Sequence, residues 1–222
     1  MKALAAAALA LACLSPAHAH AQQTGASYAR MVVIVSRPGQ AEAFEKGYER
    51  HLQWHRGAQD PWTWYGWTFV LGNRINRFMD GTFGHAATDF DTPVQPAADA
   101  ADNNVNVAPY ADFVSHGMYQ RMDAMSAGEP LPDASPFLAM TTYHIRPGQE
   151  AAFERAVARE HGTACQTWYR LQAGGEAPQY VLLRAVPSFG AAATLGTPYT
   201  QAGVDKVDNE LLRYRPNLSY RP

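Results

Sequence analysis

One stretch of this chain occurs twice. Residues 31–44 read MVVIVSRPGQAEAF and residues 140–153 read MTTYHIRPGQEAAF, in register along their whole length. Each copy runs from an apolar strand through an Arg-Pro-Gly-Gln turn into an amphipathic helix opening on Ala, Glu and Phe. Such a repeat fixes how many units must share a core before any other fold decision is made. It predicts two α+β units in a chain of 222 residues, a length that suits two small modules or one pseudo-symmetric domain.

The first unit spans 27–125, a Pro-rich linker 126–136, and the second unit 137–222. In the first, a β-branched run predicts a strand over 30–35, followed by a helix over 40–56. Strands follow over 62–71 and 77–83, and a second helical stretch begins at 84–91. Residues 96–109 (PAADAADNNVNVAP) read as a solvated loop or mobile lid of low hydrophobicity. Residues 110–125 read as a helix, or a helix leading into a strand. In the second unit strands are expected over 137–145 and 179–186, helices over 149–164 and 204–213, and a terminal strand over 217–220. Thr167-Trp168-Tyr169 parallels Thr63-Trp64-Tyr65. Each unit is then β-α-β-β-α-β, the ferredoxin-like arrangement, whose sheet carries helices on one face and leaves the other apolar. Two such sheets can cover each other, so the expected fold is α+β: two tandem repeats closed into an intramolecular α/β barrel.

Two fused units of this kind resemble the dimeric α/β-barrel superfamily. Its members include antibiotic-biosynthesis monooxygenases, haem-degrading monooxygenases, chlorite dismutases, and NIPSNAP-like and EthD-like proteins. The resemblance covers nearly all of the chain after its N-terminus and rests on topology and the Arg-Pro-Gly-Gln turn. No catalytic motif of those families maps onto this chain residue by residue, so the resemblance implies a fold and leaves function to the site. For the haem-using members it implies an axial His on a helix and a porphyrin-shaped pocket.

Residues 1–21 read as a secretory signal peptide. Met1-Lys2 starts it, residues 3–14 are apolar, and alternating small residues place cleavage after Ala19 or Ala21. That apolar run is too short to span a bilayer and no later run is longer, so a periplasmic or secreted protein without a membrane span is expected. Cleavage would remove Cys13 and leave Cys165 as the lone thiol. Eighteen Lys and Arg stand against 20 Asp and Glu, with no basic cluster to neutralise phosphates, which argues against nucleic acid as a partner. Gly-rich phosphate loops, Gly-x-Ser-x-Gly elbows and Cys-x-x-Cys pairs do not occur.

The sharpest cluster is His51-Leu52-Gln53-Trp54-His55. The i, i+4 spacing puts both imidazoles on the helix face that also carries Phe44 and Tyr48. Such a pair packs as hydrogen-bonded core histidines, acts in acid–base chemistry, or shares a divalent metal, which would need a third ligand. Leu52 stands where a zinc protease requires Glu. In register, Glu160 falls at the place of His51 and Ala164 at that of His55, with His161 one step round the helix. A carboxylate on that inward face needs a partner or a raised pKa, so Glu160 and His161 join His51 and His55 as catalytic candidates.

Aromatic residues concentrate at Trp54, Trp62, Trp64, Tyr65 and Trp67, where strand alternation sets Trp62 and Trp64 on one face and Tyr65 and Trp67 on the other. Large aromatics serve equally as core and as pocket wall. The leading expectation is a pocket for a small apolar or aromatic molecule between the first helix and the sheet, lined by Tyr48, His51, His55, Trp64 and Trp67. One alternative is a monooxygenase-like or haem-dependent enzyme, with His51 or His55 as base or axial ligand. The other is a structural or assembly protein in which these residues only pack. Haem or a divalent metal is the candidate cofactor, and either a monomer or a homodimer satisfies the sheet faces.

Overall fold

The two Arg-Pro-Gly-Gln segments form matching turns in the computed structural model, which describes residues 27–128, 135–160, 165–196, 199 and 203–222. Gly39 has φ 73° and Gly148 φ 84°, a left-handed conformation that costs glycine nothing. The turns close through Gln40 N–H to the Arg37 carbonyl at 2.9 Å and Gln149 N–H to the Arg146 carbonyl at 3.0 Å. Each carries a strand into a helix: β1 (Tyr28–Ser36) into α1 (Ala41–Gly57), and β5 (Phe137–Ile145) into α3 (Glu150–Glu160). Residues 1–21, expected to be a signal peptide, the centre of the 126–136 linker, His161 and Ala164 lie outside the described residues. Cys165 is not a free thiol, contrary to expectation.

The remaining strands are β2 (Tyr65–Leu71), β3 (Phe78–His85), β4 (Ala111–Arg121), β6 (Thr167–Ala173), β7 (Gln179–Val186) and β8 (Val204–Tyr214). All pairings are antiparallel, and the strands close into a barrel in the order β1-β3-β2-β8-β5-β7-β6-β4. One arc is thus β4-β1-β3-β2 and the other β8-β5-β7-β6, joined where β2 meets β8 and β4 meets β6. Closure leaves no strand edge open. Among the described residues no helix is long and apolar enough to cross a membrane.

Alternation along the strands sorts side chains into two layers. Ala29, Met31 and Val33 of β1 join Trp67, Phe69, Met79, Tyr169, Val181 and Leu212 inside the barrel. Val32 and Ile34 face outward and pack with Phe78 under Phe44, Tyr48 and Leu52 of α1. Beneath α3, Phe153 and Val157 pack on Tyr143, Trp168, Tyr180 and Leu182.

Several elements differ from the sequence reading. Residues 96–109 are no loop: α2 runs over Pro96–Asn106. Pro96 at the first turn is preset for a helix, and Ala97, Ala98, Ala100 and Ala101 are strong helix formers. Low hydrophobicity misled because α2 buries no large side chain and lies against α1, where a Cβ on Gly47 would meet the Asn106 carbonyl oxygen at 1.8 Å. Residues 110–125 form β4 and a short 3-10 turn at Asp123–Met125, without a preceding helix. Five consecutive exposed residues in β4 hide its alternation.

Residues 204–213 form β8, despite Val204, Val207 and Leu211 at helical spacing, because ladders to both β2 and β5 satisfy its backbone. The terminal strand over 217–220 reduces to a 3-10 turn at Pro216–Leu218 and a bridge between Tyr220 and Trp64. The stretch 84–91 finishes β3 at His85 and continues as a 3-10 turn over Ala87–Asp91.

Candidate functional site

The inward face of α1 carries Phe44, Tyr48, His51, Leu52 and His55, as its period requires, and the two histidines are only 6 % and 5 % exposed. Their rings stand 4.8 Å apart, edge to face. A buried imidazole needs partners, and each has a carboxylate at Nδ1. His55 Nδ1 lies 2.7 Å from Asp60 Oδ2 in the turn that follows α1. Trp64 Nε1–H donates to the same oxygen at 2.9 Å, and Trp62 N–H to Asp60 Oδ1 at 2.9 Å. Burial pushes the Asp60 carboxyl up, but these hydrogen bonds outweigh it and hold it below the usual carboxylate range.

His51 Nδ1 lies 2.8 Å from Asp102 Oδ1 on α2. Asn106 holds the other Asp102 oxygen at 3.1 Å and is itself held by Arg50 Nε–H at 2.8 Å. Burial lowers the His51 pKa, and the facing His55 adds to the fall against the pull of Asp102 and Asp99. A carboxylate only accepts, so each Nδ1 carries a proton, and in the neutral imidazole Nε2 is then the lone-pair nitrogen. Those Nε2 atoms converge on one oxygen of α2: Asp99 Oδ1 is 3.3 Å from His51 and 3.9 Å from His55.

Below the histidines the outward face of the sheet supplies a second buried acid. Asp80 of β3 pairs across from Val32, is 7 % exposed, and accepts the Tyr48 hydroxyl at 2.9 Å through Oδ2. Its Oδ1 has no hydrogen-bond partner among the described residues. Burial raises the Asp80 pKa to about 6, against the opposing effects of the Arg30 charge and the Tyr48 hydrogen bond. Burial and the neighbouring Asp80 push the Tyr48 phenol well above its usual range, so it remains a donor. Arg30 of β1 stacks its guanidinium 4.6 Å from the Trp64 ring centre, and its Nε is likewise unpartnered among the described residues. These groups surround a cavity of about 280 Å³ roofed by α2.

Of the residues expected to line a pocket, Tyr48, His51, His55 and Trp64 come together here. Trp67 does not: it is three positions on from Trp64 along the chain, on the opposite strand face, and its side chain fills the barrel interior. Glu160 is exposed at the last position of α3, so the buried carboxylate expected there is absent. Aromatic packing of Phe153 with Tyr143, Trp168 and Tyr180, at ring separations of 5.0 to 5.8 Å, takes the space beneath α3. His116, expected on a helix, is an exposed β4 residue beside the cavity.

Sequence reasoning missed Arg30, Asp60, Asp80, Asp99 and Asp102. Asp80 carried a signal, a lone acid within Phe78-Met79-Asp80-Gly81-Thr82-Phe83. So did Asp99 and Asp102, spaced i, i+3 on an Ala-rich helix.

Haem does not fit at His51 or His55. Each Nδ1 is tied to a carboxylate and each Nε2 faces Asp99, so neither nitrogen is presented to a porphyrin plane. Acids and amides of α2 roof the cavity where a macrocycle would need a broad apolar slot.

No protein-family model and no curated protein matches the sequence. Solved structures do match in fold. A candidate monooxygenase from Fusobacterium nucleatum superposes with a TM-score of 0.61 at 9 % identity, covering 90 % of this chain and 99 % of that one. A variant chlorite dismutase from Candidatus Nitrospira defluvii gives 0.56 at 7 % identity, with 86 % and 92 % covered. An anthrone oxidase-like protein gives 0.51 at 12 % identity, with 86 % and 91 % covered. At these identities the likeness shows the fold: a ferredoxin-like α+β barrel shared with proteins of those descriptions.

Proposed function

We propose that this protein is an oxygen-dependent enzyme acting on a small, electron-rich aromatic or enolisable substrate held between α1, α2 and the sheet. The observation that carries this reading is Asp80, a buried carboxyl among the residues lining the cavity, with a pKa raised to about 6, one oxygen fixed by Tyr48 and the other buried without a hydrogen-bond partner among the described residues. A base poised near neutrality beside a ligand cavity suits proton abstraction from carbon, which on this reading requires the substrate to reach the buried Asp80 oxygen. Arg30 places positive charge where the resulting anion forms, and Trp64 offers an aromatic wall. The carbanion then reacts with dioxygen. For an activated CH2 group the balance is one oxygen atom into a new C=O and the other into water, with the carbon giving up four electrons to the dioxygen. Fold neighbours described as candidate monooxygenases and as anthrone oxidase-like support oxidation over simple binding. A cavity of about 280 Å³ suits a compact ligand, near the lower end of the about 300–1,000 Å³ common for small-molecule sites.

The test is oxygen uptake by purified protein with a panel of hydroxylated anthrones, naphthols and β-diketones under isotopically labelled dioxygen. Label in the product carbonyl, lost by a factor of about 10²–10⁴ in Asp80→Asn, is the expected result. Absence of uptake across the panel, or full activity in the folded Asp80→Asn variant, would overturn the reading.

A further inference from the structure

We propose that His51, His55 and Asp99 form a binding site for a divalent first-row transition metal ion, with both Nε2 atoms and one carboxylate oxygen as ligands and the remaining positions open to the cavity. This goes beyond the oxidation reading and does not depend on it.

Three observations converge. The first is electrostatic. Both Nε2 atoms and one carboxylate oxygen face one another across 3.3 and 3.9 Å. With the imidazoles neutral and Nδ1 protonated, three acceptors meet there, and either protons on Nε2 or a bound cation relieves their repulsion. The surrounding charge has the same sense: Asp60, Asp80, Asp99 and Asp102 crowd the site, and the Arg30 guanidinium is the cation lining the cavity.

The second is geometric. Donor atoms of the three residues all lie within 4.8 Å of one another. Metal–ligand bonds of about 2.0–2.2 Å set donor separations of about 3–3.5 Å, so the 3.3 Å contact already fits, while the widest separation, up to 4.8 Å, must close by about 1.3–1.8 Å.

The third is the support behind the ligands. Each imidazole donates Nδ1–H to a carboxylate that is itself fixed, Asp102 by Asn106 and Asp60 by Trp62 and Trp64. This outer shell sets the tautomer that frees Nε2 and raises its basicity, as is general for metal-bound histidine. Imidazole donors suit iron, zinc, copper or nickel better than calcium or magnesium, and two histidines with one carboxylate leave positions for substrate or dioxygen.

The decisive measurement is metal binding, read apart from turnover. Full-length protein stripped with a chelator is titrated with Zn(II) by calorimetry and with Co(II) by visible absorption. One saturable equivalent is expected, with Co(II) ligand-field bands of a low-coordinate nitrogen–oxygen site. Asp102→Asn and Asp60→Asn should each weaken binding by about 10–100-fold, and loss of a direct ligand in Asp99→Ala or His51→Ala by more. Asp99 is 35 % exposed at its side chain, so Asp99→Asn serves as a variant whose fold, checked by circular dichroism, is undisturbed. Absence of saturable binding, or Asp99 variants that bind as tightly as the unaltered protein, would overturn the site. One-equivalent binding in a protein without oxygen uptake would uphold the metal site and count against the oxidation reading alone.

Discussion

At the scale of single residues, Asp80 links the proposed chemistry to stability. Its pKa of about 6 in the fold stands above the 3.8 of the free side chain, so the native state binds the extra proton between those values. Its contribution to stability is therefore full below about pH 4 and is lost as pH rises through about 6. A rise of that size corresponds to about 2–3 kcal/mol. Chemical denaturation of Asp80→Asn and the unaltered protein should show the difference moving in favour of the variant by that amount from pH 4 to pH 7. A constant difference would contradict the burial argument. Tyr48→Phe removes the donor that opposes the rise, so the Asp80 pKa should climb further and the acid limb of any activity profile move to higher pH. Leaving the Asp80 oxygen unpaired should also cost about 1–3 kcal/mol on unfolding. At this scale the histidine pair was legible, because i, i+4 spacing on an apolar face needs no tertiary knowledge. Its partners were not: Asp60, Asp99 and Asp102 reach it only through a turn and a second helix.

At the scale of elements, the site depends on α2 lying directly on α1. Gly47 permits this, since a Cβ there would sit 1.8 Å from the Asn106 carbonyl oxygen. Gly47→Ala should lift the C-terminal end of α2, cost about 1–3 kcal/mol, and break the Asp102–His51 hydrogen bond. Hydrogen exchange should quicken in α2 and stay slow in β1 and β3; unchanged protection in α2 would contradict the packing described. α2 escaped the sequence reading because Ala, Asn and Asp lack the apolar stripe by which helices are recognised, and its role is to carry acids. β4 and β8 were misread for a different reason. Each is flanked by strands on both sides, and ladder hydrogen bonds override a helical spacing of apolar residues. Strands β5 and β7 were read to the residue because apolar runs between Pro and Gly punctuation leave little choice.

At the scale of the whole molecule, one barrel carries two unlike outer layers. Beneath α1 lies a cavity lined by acids and histidines; beneath α3 the space is taken by Tyr143, Phe153, Trp168 and Tyr180. Trp168→Ala should therefore destabilise by about 3–5 kcal/mol, read by thermal unfolding, while leaving the histidine cluster's chemistry intact. Trp64→Ala should instead disturb Asp60 and with it His55. Equal effects on the site from both substitutions would contradict this division. The doubled turn made the α+β layout legible, and divergence after the turn marked where the halves differ, although Glu160 proved exposed. The central claim, that the α1–α2 cavity is an oxidising active site served by Asp80, is tested most directly by the pH dependence of oxygen uptake. The account predicts activity that rises with pH through an apparent pKa of about 6 and disappears in Asp80→Asn. A pH-independent rate, or the same profile in that variant, would contradict it.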